Sequence, residues 1–377
     1  MTGPVLSERV GLAFERGLRR ALRRPHVDLP LMLALLLLCG IGLVVLASAS
    51  DGATRQVVAQ SLRIALGLAA LVVLARVPPA VLRVWTPWLY AASVLLLLLV
   101  PLVGSGRSAR SWLDLGFFYV QPAELLKLTV PMMLAWYLNE RPLPPGFATL
   151  AVCVALIGMP AALIAVQPDF GTAVLVAAAG AFVLFLAGLA WWRIGLVIAI
   201  IAAAAPLGWH FLRDYQRQRL LMFLDPEADR LGAGWNIIQS QIAIGSGGAA
   251  GKGYGMSTQA ELDYLPEHTT DFIFAVFAEE FGALGVAVVI ALYLYIIGRA
   301  LWVASSARDT YGRLLAGSIA LSFFVYVMVN GGMITGLLPV VGVPMPLISY
   351  GGTSAVSLLA GFGIVMSVHA HRRLVAP

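Results

Sequence analysis

The sequence predicts an all-α integral membrane protein with about ten transmembrane helices, both termini in the cytoplasm and one large extracytoplasmic loop. Three observations lead there. Of the 377 residues, 60% are hydrophobic and only 12% charged, against about 25% charged in soluble domains, and the mean hydropathy is +0.88. Apolar runs of about 20 residues, the length that crosses a bilayer as a helix, recur along the chain. The basic residues gather in alternate connections between those runs. A chain so poor in charge cannot cover a water-soluble surface. That excludes a soluble enzyme, a disordered protein and a disulfide-stapled secreted domain. Cys39 and Cys153 both lie inside apolar runs and offer neither a disulfide framework nor a thiolate metal site.

Residues 1–28 form a basic segment ahead of the first span. Leu6, Val10, Phe14, Leu18 and Leu22 recur at four-residue spacing with arginines between them. This suits a basic amphipathic helix on an anionic inner leaflet, with a solvated basic tail as the plainer alternative. Ala47-Ser48-Ala49 mimics a signal-peptidase site, but the apolar run before it is too long for a signal peptide, so the first span reads as an uncleaved anchor. Spans are expected near 29–49, 56–75, 82–103, 122–138, 147–166, 172–189, 193–212, 271–298, 313–336 and 347–370, a membrane domain over 29–371 with a short tail at 372–377. Arg9, Arg16, Arg19, Arg20, Arg23 and Arg24 precede the first span and place the N-terminus in the cytoplasm by the positive-inside rule. Alternate crossings then put Arg76, Arg83, Arg141, Arg193, Arg299, Arg308, Arg313, Arg372 and Arg373 inside as well. The net charge of +6 is thus accounted for by membrane anchoring, with no nucleic acid as partner.

One connection is long. Residues 213–270 form an extracytoplasmic loop between spans seven and eight, and loops of that length are usually functional or disordered. Trp235, Ile237, Ile238, Ile242 and Ile244 are apolar at helical spacing, so this part of the loop is expected to pack back onto the bundle. The run Gly245-Ser246-Gly247-Gly248-Ala249-Ala250-Gly251-Lys252-Gly253 lacks the Walker pattern: Gly253 stands where a Ser or Thr would hold magnesium. Its amides could form an anion nest with Lys252 as a point charge, or the run could be a flexible turn. Arg213, Arg217 and Arg219 suit either a phosphate or diphosphate group or the anchoring of a helix end.

Candidate chemistry gathers at the outer helix ends. Asp271 opens the eighth span, where an acid in the first turn is stabilised by the helix dipole; at that depth it could also act as a general base on an amphiphilic substrate. Glu279 and Glu280 lie two turns deeper, where ionisable side chains are functional or paired, and at least one is expected to hold another helix. Glu124 and Lys127 share a face of the fourth span at i, i+3 spacing, as an ion pair or as the lining of a polar cavity. Asp169 lies between the fifth and sixth spans at the outer surface, where it either caps the sixth span or takes part in the chemistry. The five histidines show no metal-ligand spacing.

Taken together, these motifs resemble the SEDS family of peptidoglycan polymerases. The similarity rests on Asn236 through Gly248, on Leu265-Pro266-Glu267 through Thr270-Asp271-Phe272, on Ala278-Glu279-Glu280-Phe281-Gly282, and on Pro346-Leu347-Ile348-Ser349-Tyr350-Gly351-Gly352. Gln121-Pro122-Ala123-Glu124 with Lys127, and Gln167-Pro168-Asp169, match earlier blocks. Ser257-Thr258-Gln259 and the Gly336–Gly342 stretch look more like the rod-elongation branch than the division branch. Two departures stand out: Thr269 occupies the place of a usual His, with His268 one position earlier, and Ala123 replaces a usual Ser.

The resemblance implies a ten-span bacterial cytoplasmic-membrane enzyme that polymerises lipid II on the outer face. Asp271 would be the general base on the acceptor 4-hydroxyl. Glu124, Lys127, Asp169, Arg217, Lys252 and Gln259 would contact substrate. A divalent cation, magnesium or manganese, could assist the departing diphosphate, whereas no nucleotide, haem or flavin is needed. The implied partners are lipid II, lipid-linked glycan, membrane lipids and a class B penicillin-binding protein acting as transpeptidase. A lipid II flippase is the alternative function, although it would require functional groups reachable from both faces. A scaffold that only recruits cell-wall enzymes would leave Asp271 replaceable.

Overall fold

The computed structural model describes residues 27–50, 53–103, 111–114, 119–190, 234–262, 264–265 and 267–371, with 192, 193, 195, 196, 199, 203, 217 and 221 in between. The expected amphipathic segment at 6–24, most of the 193–212 span, Arg213, Arg219 and the 372–377 tail lie outside the described residues. Within them the molecule is a helical bundle: α1 Leu29–Ala49, α2 Thr54–Arg76, α3 Pro79–Val103, α4 Pro122–Asn139, α5 Phe147–Val166, α6 Phe170–Leu186, α7 Trp235–Ser246, α8 Thr258–Glu261, α9 Ile273–Ser305, α10 Thr310–Ile334 and α11 Ser354–Ala370. A two-residue antiparallel pair, β1 Leu113–Asp114 with β2 Tyr119–Val120, precedes α4. Six helices (α1, α2, α3, α5, α9 and α10) are long and apolar enough to cross a membrane. The chain is a multi-pass membrane protein.

Helix starts and stops follow local chemistry. Asp28 caps α1 by accepting from the Leu31 amide, and Asp169 caps α6 by accepting from the Thr172 amide. Proline stands in the first turn of α1 and of α4, where its missing N–H costs nothing. The last span was expected over 347–370, but its helix begins only at Ser354. Pro344, Pro346 and the Gly351-Gly352 pair keep the preceding residues out of the helix, and that irregular segment walls the cavity described below.

The two ends of the bundle are built differently. At one end Arg299 of α9 grips the buried carboxylate of Asp28 with two nitrogens, 2.9 and 3.1 Å away. There too the Asn139 side chain accepts from the Tyr311 amide, Thr86 and Tyr311 share a hydrogen bond, and Ser367 donates to the Val77 carbonyl. These contacts join the start of α1, the α2–α3 and α4–α5 connections, the start of α10 and the ends of α9 and α11. Arg76, Arg83, Arg141, Arg193, Arg308 and Arg313 all lie on this basic end. The opposite end carries the polar cavity.

α9 is interrupted. At Gly282 the backbone adopts φ 65°, ψ −168°, which breaks the helical ladder and leaves carbonyls and amides to be satisfied within the protein. The glycine run after α7 supplies the partners. Lys252 and Gly253 donate to the carbonyls of Glu279 and Glu280, and Ala283 and Leu284 donate to those of Gly248 and Ala249. The anion nest considered from sequence is therefore a docking strip for the broken helix. α7 itself packs back on the bundle as expected, with Ser240 donating to the Ile334 carbonyl at 2.7 Å and Gln241 to that of Thr335 at 3.0 Å.

The strip leaves no room for a side chain at Gly251, where a Cβ would sit 2.0 Å from the Glu280 carbonyl oxygen at φ +80°, whereas at Gly245 it would meet nothing within 4 Å. Gly251→Ala is expected to lower the unfolding temperature of the detergent-solubilised protein by roughly 2–10 °C, with Gly245→Ala at or above wild type. Scanning fluorimetry measures both.

Candidate active site

The cavity has a volume of about 240 Å³ and draws its walls from four parts of the chain. α4 contributes Glu124 and Lys127, the start of α6 contributes Asp169 and Thr172, α10 contributes Tyr326, and the irregular segments contribute Trp112, Gly342 and the 351–354 stretch. Glu124 is buried at 5% exposure, on a helix whose residues are mostly buried. Its carboxylate accepts from Lys127 Nζ at 2.6 Å and from Ser357 of α11 at 2.7 Å. Lys127 in turn lies over the Tyr326 ring, 4.9 Å from its centroid. Asp169 divides its two oxygens between the α6 cap and Gln121 Nε2, 2.7 Å away. It is thus the helix cap considered from sequence, and it also lines the cavity.

Asp271 approaches the same cavity from the turn before α9. A Cβ placed on the cavity-lining Gly342 would stand 3.7 Å from Asp271 Oδ2, so the carboxylate borders the cavity rim. Gly342 is in the left-handed region at φ +72°, a conformation that brings the loop backbone close at this point. The turn is fastened to the cavity wall twice: Tyr350 N donates to the Thr269 carbonyl at 2.9 Å, and Asn330 Nδ2 donates to the Asp271 carbonyl at 2.8 Å.

Lys252 and Gln259, expected beside substrate, belong to a different cluster. Glu279 is fully buried and gathers Lys252 Nζ at 2.5 Å, Ser257 Oγ at 2.6 Å, Thr258 Oγ1 at 2.8 Å and the Thr258 amide at 3.2 Å. The Gln259 amide adds a fifth contact at 3.5 Å. A carboxylate without water must be neutralised and hydrogen-bonded, and Lys252 is held there for that purpose. Neither Lys252 nor Gln259 lines the cavity. Arg217 is half-buried and helical, and it is not among the described lining residues. Glu280 accepts from Ser48 of α1 and from the Gly255 amide, which makes it the helix-joining acid expected from its depth. His268 bonds the Leu265 carbonyl at 2.9 Å.

The model of the FtsW/RodA/SpoVE cell cycle protein family matches residues 29–374. This chain belongs to that family. It is 49% identical to the peptidoglycan glycosyltransferase MrdB of Escherichia coli K12 over 353 residues, 93% of this chain and 95% of that one. Among solved structures it superposes with a TM-score of 0.83 on a chain of a peptidoglycan synthase complex described as coordinating polymerization and crosslinking. That match has 33% identity and covers 93% of this chain and 100% of that one. The rod shape determining protein RodA of Thermus thermophilus superposes at 0.70 with 30% identity, covering 92% of this chain and 97% of that one.

Three residues that shape the cavity walls were not singled out from the sequence. Gln60 of α2 donates to the Ser349 carbonyl at 3.2 Å and accepts from the Gly351 amide at 3.4 Å, which holds the cavity wall from behind. Arg63 stacks on Tyr350, 4.7 Å from the ring centroid. Asn330 sits in an apolar helix. A lone polar residue in an expected span marks such positions, but its partner is set by the fold. Among the described residues no group of three or more His, Cys, Asp or Glu side chains could hold a metal. The cavity acids already have partners and do not fit a protein cage for magnesium or manganese.

The ion pair makes a testable demand. Glu124→Gln leaves Lys127 without its counter-charge at about 10% side-chain exposure, and the expected cost is about 3–5 kcal/mol. Adding Lys127→Met to that variant is expected to restore most of the loss. The double-mutant cycle is read from unfolding of the purified proteins in detergent.

Proposed function

We propose that the chain is a peptidoglycan glycosyltransferase that polymerises lipid II into glycan strands at the outer face of the bacterial cytoplasmic membrane. The observation that carries this reading is the carboxylate of Asp271 at the rim of a polar cavity holding Glu124, Lys127 and Asp169. The full-length similarity to MrdB and the likeness to RodA support the reaction and favour cell elongation and rod shape over division.

The membrane arrangement follows from the two ends. With the basic end inside, the cavity faces out, where a lipid-linked substrate needs no nucleotide. The first described helix starts at the basic side and the last ends there, so on this reading both termini are cytoplasmic. α6 ends on that side too, with Arg193 donating to the Pro145 carbonyl at 2.8 Å, whereas α9 starts at the cavity end. The chain must therefore cross once more between them. We assign that crossing to 193–212, which gives ten spans in a membrane domain over 29–371, an extracytoplasmic loop at 213–270, a basic cytoplasmic segment at 1–28 and a tail at 372–377.

In the proposed reaction the growing glycan is the donor and an incoming lipid II the acceptor. Asp271 takes the proton of the acceptor 4-hydroxyl as its oxygen attacks the donor's anomeric carbon. A new carbon–oxygen bond forms, and the bond to the diphosphate breaks, its electron pair leaving with undecaprenyl diphosphate. Glu124, Lys127 and Asp169 shape the cavity that orients sugar hydroxyls. Arg217 is the basic group assigned to the leaving diphosphate. Lys252 and Gln259 act at one remove, by ordering the segment that ends at Asp271. No step is routed through magnesium or manganese. The partner is a class B penicillin-binding protein, a transpeptidase that crosslinks the product.

The test is polymerisation of purified lipid II by the reconstituted chain with its transpeptidase, in the presence of moenomycin to silence polymerases of the other class. Wild type is expected to make long glycan, and Asp271→Ala and Asp271→Asn none, with all three equally folded. Polymer from both variants would move the base to Glu124 or Asp169. An intact complex that makes no polymer would turn the reading to lipid II translocation.

A further inference from the structure

We propose that Asn330 is a positioning residue for the transfer step, fixing Asp271 at the distance from the cavity at which it works; this rests on the proposed role of Asp271. Asn330 is fully buried in α10. Its Nδ2 donates one hydrogen to the carbonyl of Asp271 and the other to the carbonyl of Val343, each at 2.8 Å. Turned the other way, the amide would set its oxygen against two carbonyl oxygens, so its partners fix the assignment.

The two carbonyls flank the contact that matters. Asp271 presents its carboxylate to Gly342, and Val343 is the next residue along the cavity wall. One side-chain amide therefore ties the backbone of the acid to the backbone of the wall it faces. Its own Oδ1 has no hydrogen-bond partner among the described residues. A buried amide used only for stability would be expected to satisfy its acceptor as well. Here both donors are spent on one juxtaposition, and the acceptor is left over. Tyr350 N on the Thr269 carbonyl is the second tie between the same two segments, so the turn stays attached when the first is lost. What Asn330 contributes is the placement of Asp271, and a misplacement of about 1 Å can cost about 100-fold in rate.

The test measures steady-state polymerisation of lipid II by the full chain with its transpeptidase. Asn330→Leu keeps the size and removes both donors. It is expected to lower kcat about 10- to 100-fold while KM for lipid II stays within about threefold, because ground-state contacts are untouched. Ser318→Ala removes another buried hydrogen bond of α10, to the Ala179 carbonyl at 2.7 Å, and is expected to keep wild-type kcat. Asn330→Asp, which keeps the shape and sets an oxygen against both carbonyls, is expected to lose kcat at least tenfold, and it decides the matter if the leucine variant does not assemble. Wild-type kcat in either Asn330 variant, or a loss carried by KM alone, overturns the positioning role. If Asp271→Ala still polymerises, the reading of Asp271 fails, and this inference with it. If Asp271→Ala is dead and the Asn330 variants are fully active, only the inference fails.

Discussion

Inside a bilayer every backbone amide and carbonyl must find a partner within the protein, and the break at Gly282 is where this chain meets that constraint most sharply. Interrupting α9 exposes two carbonyls and two amides, and the run from Gly248 to Gly253 satisfies all four. Close backbone approach is the reason for the small residues there. Once docked, the strip delivers Lys252 to the buried Glu279, and Glu279 in turn gathers Ser257 and Thr258. The segment leading to Asp271 is thereby anchored by a carboxylate inside α9, the helix that follows it. Remove the break, and the loop has nothing to dock on.

Two buried carboxylates thus serve different ends. Glu279 is satisfied by a lysine, three hydroxyls and backbone amides, and it anchors the loop that leads to Asp271. Glu124 is also paired, but with Lys127 and Ser357 at the wall of an open cavity. Burying a bare charge is costly, whereas a well-bonded pair is tolerated. The pairing lets α4 carry a polar surface through the centre of an apolar bundle.

Much of this was legible in the sequence because hydrophobic run length and charge placement report directly on the solvent. The starts and ends of α1, α4 and α5 follow from run length, proline and the capping Asp28, and the packing of α7 follows from its apolar spacing. The pairing of Glu124 with Lys127 was also readable from their i, i+3 spacing, whereas the convergence of Asp169 on the same cavity is set by the fold. The pairing of Lys252 with Glu279 was not legible for a physical reason: a lysine in a glycine-rich run has the same local signature whether its partner is a phosphate or a carboxylate 27 residues away. The late start of α11 at Ser354 escaped because Leu347 and Ile348 look like helix, while the prolines before them and the glycines after them decide otherwise. Asn330 and Gln60 are single polar residues whose partners lie in turns and irregular segments far away in sequence, and no local pattern names them.

The size of the cavity bears on product length. At about 240 Å³ it falls below the roughly 300–1,000 Å³ of sites that swallow a whole small molecule. A chamber this small encloses a sugar-sized portion and leaves the rest of a long chain outside. The described walls of this cavity meet the hundredth unit as they meet the second. On that footing strand length follows how often the chain lets go, a matter of kinetics at the membrane surface.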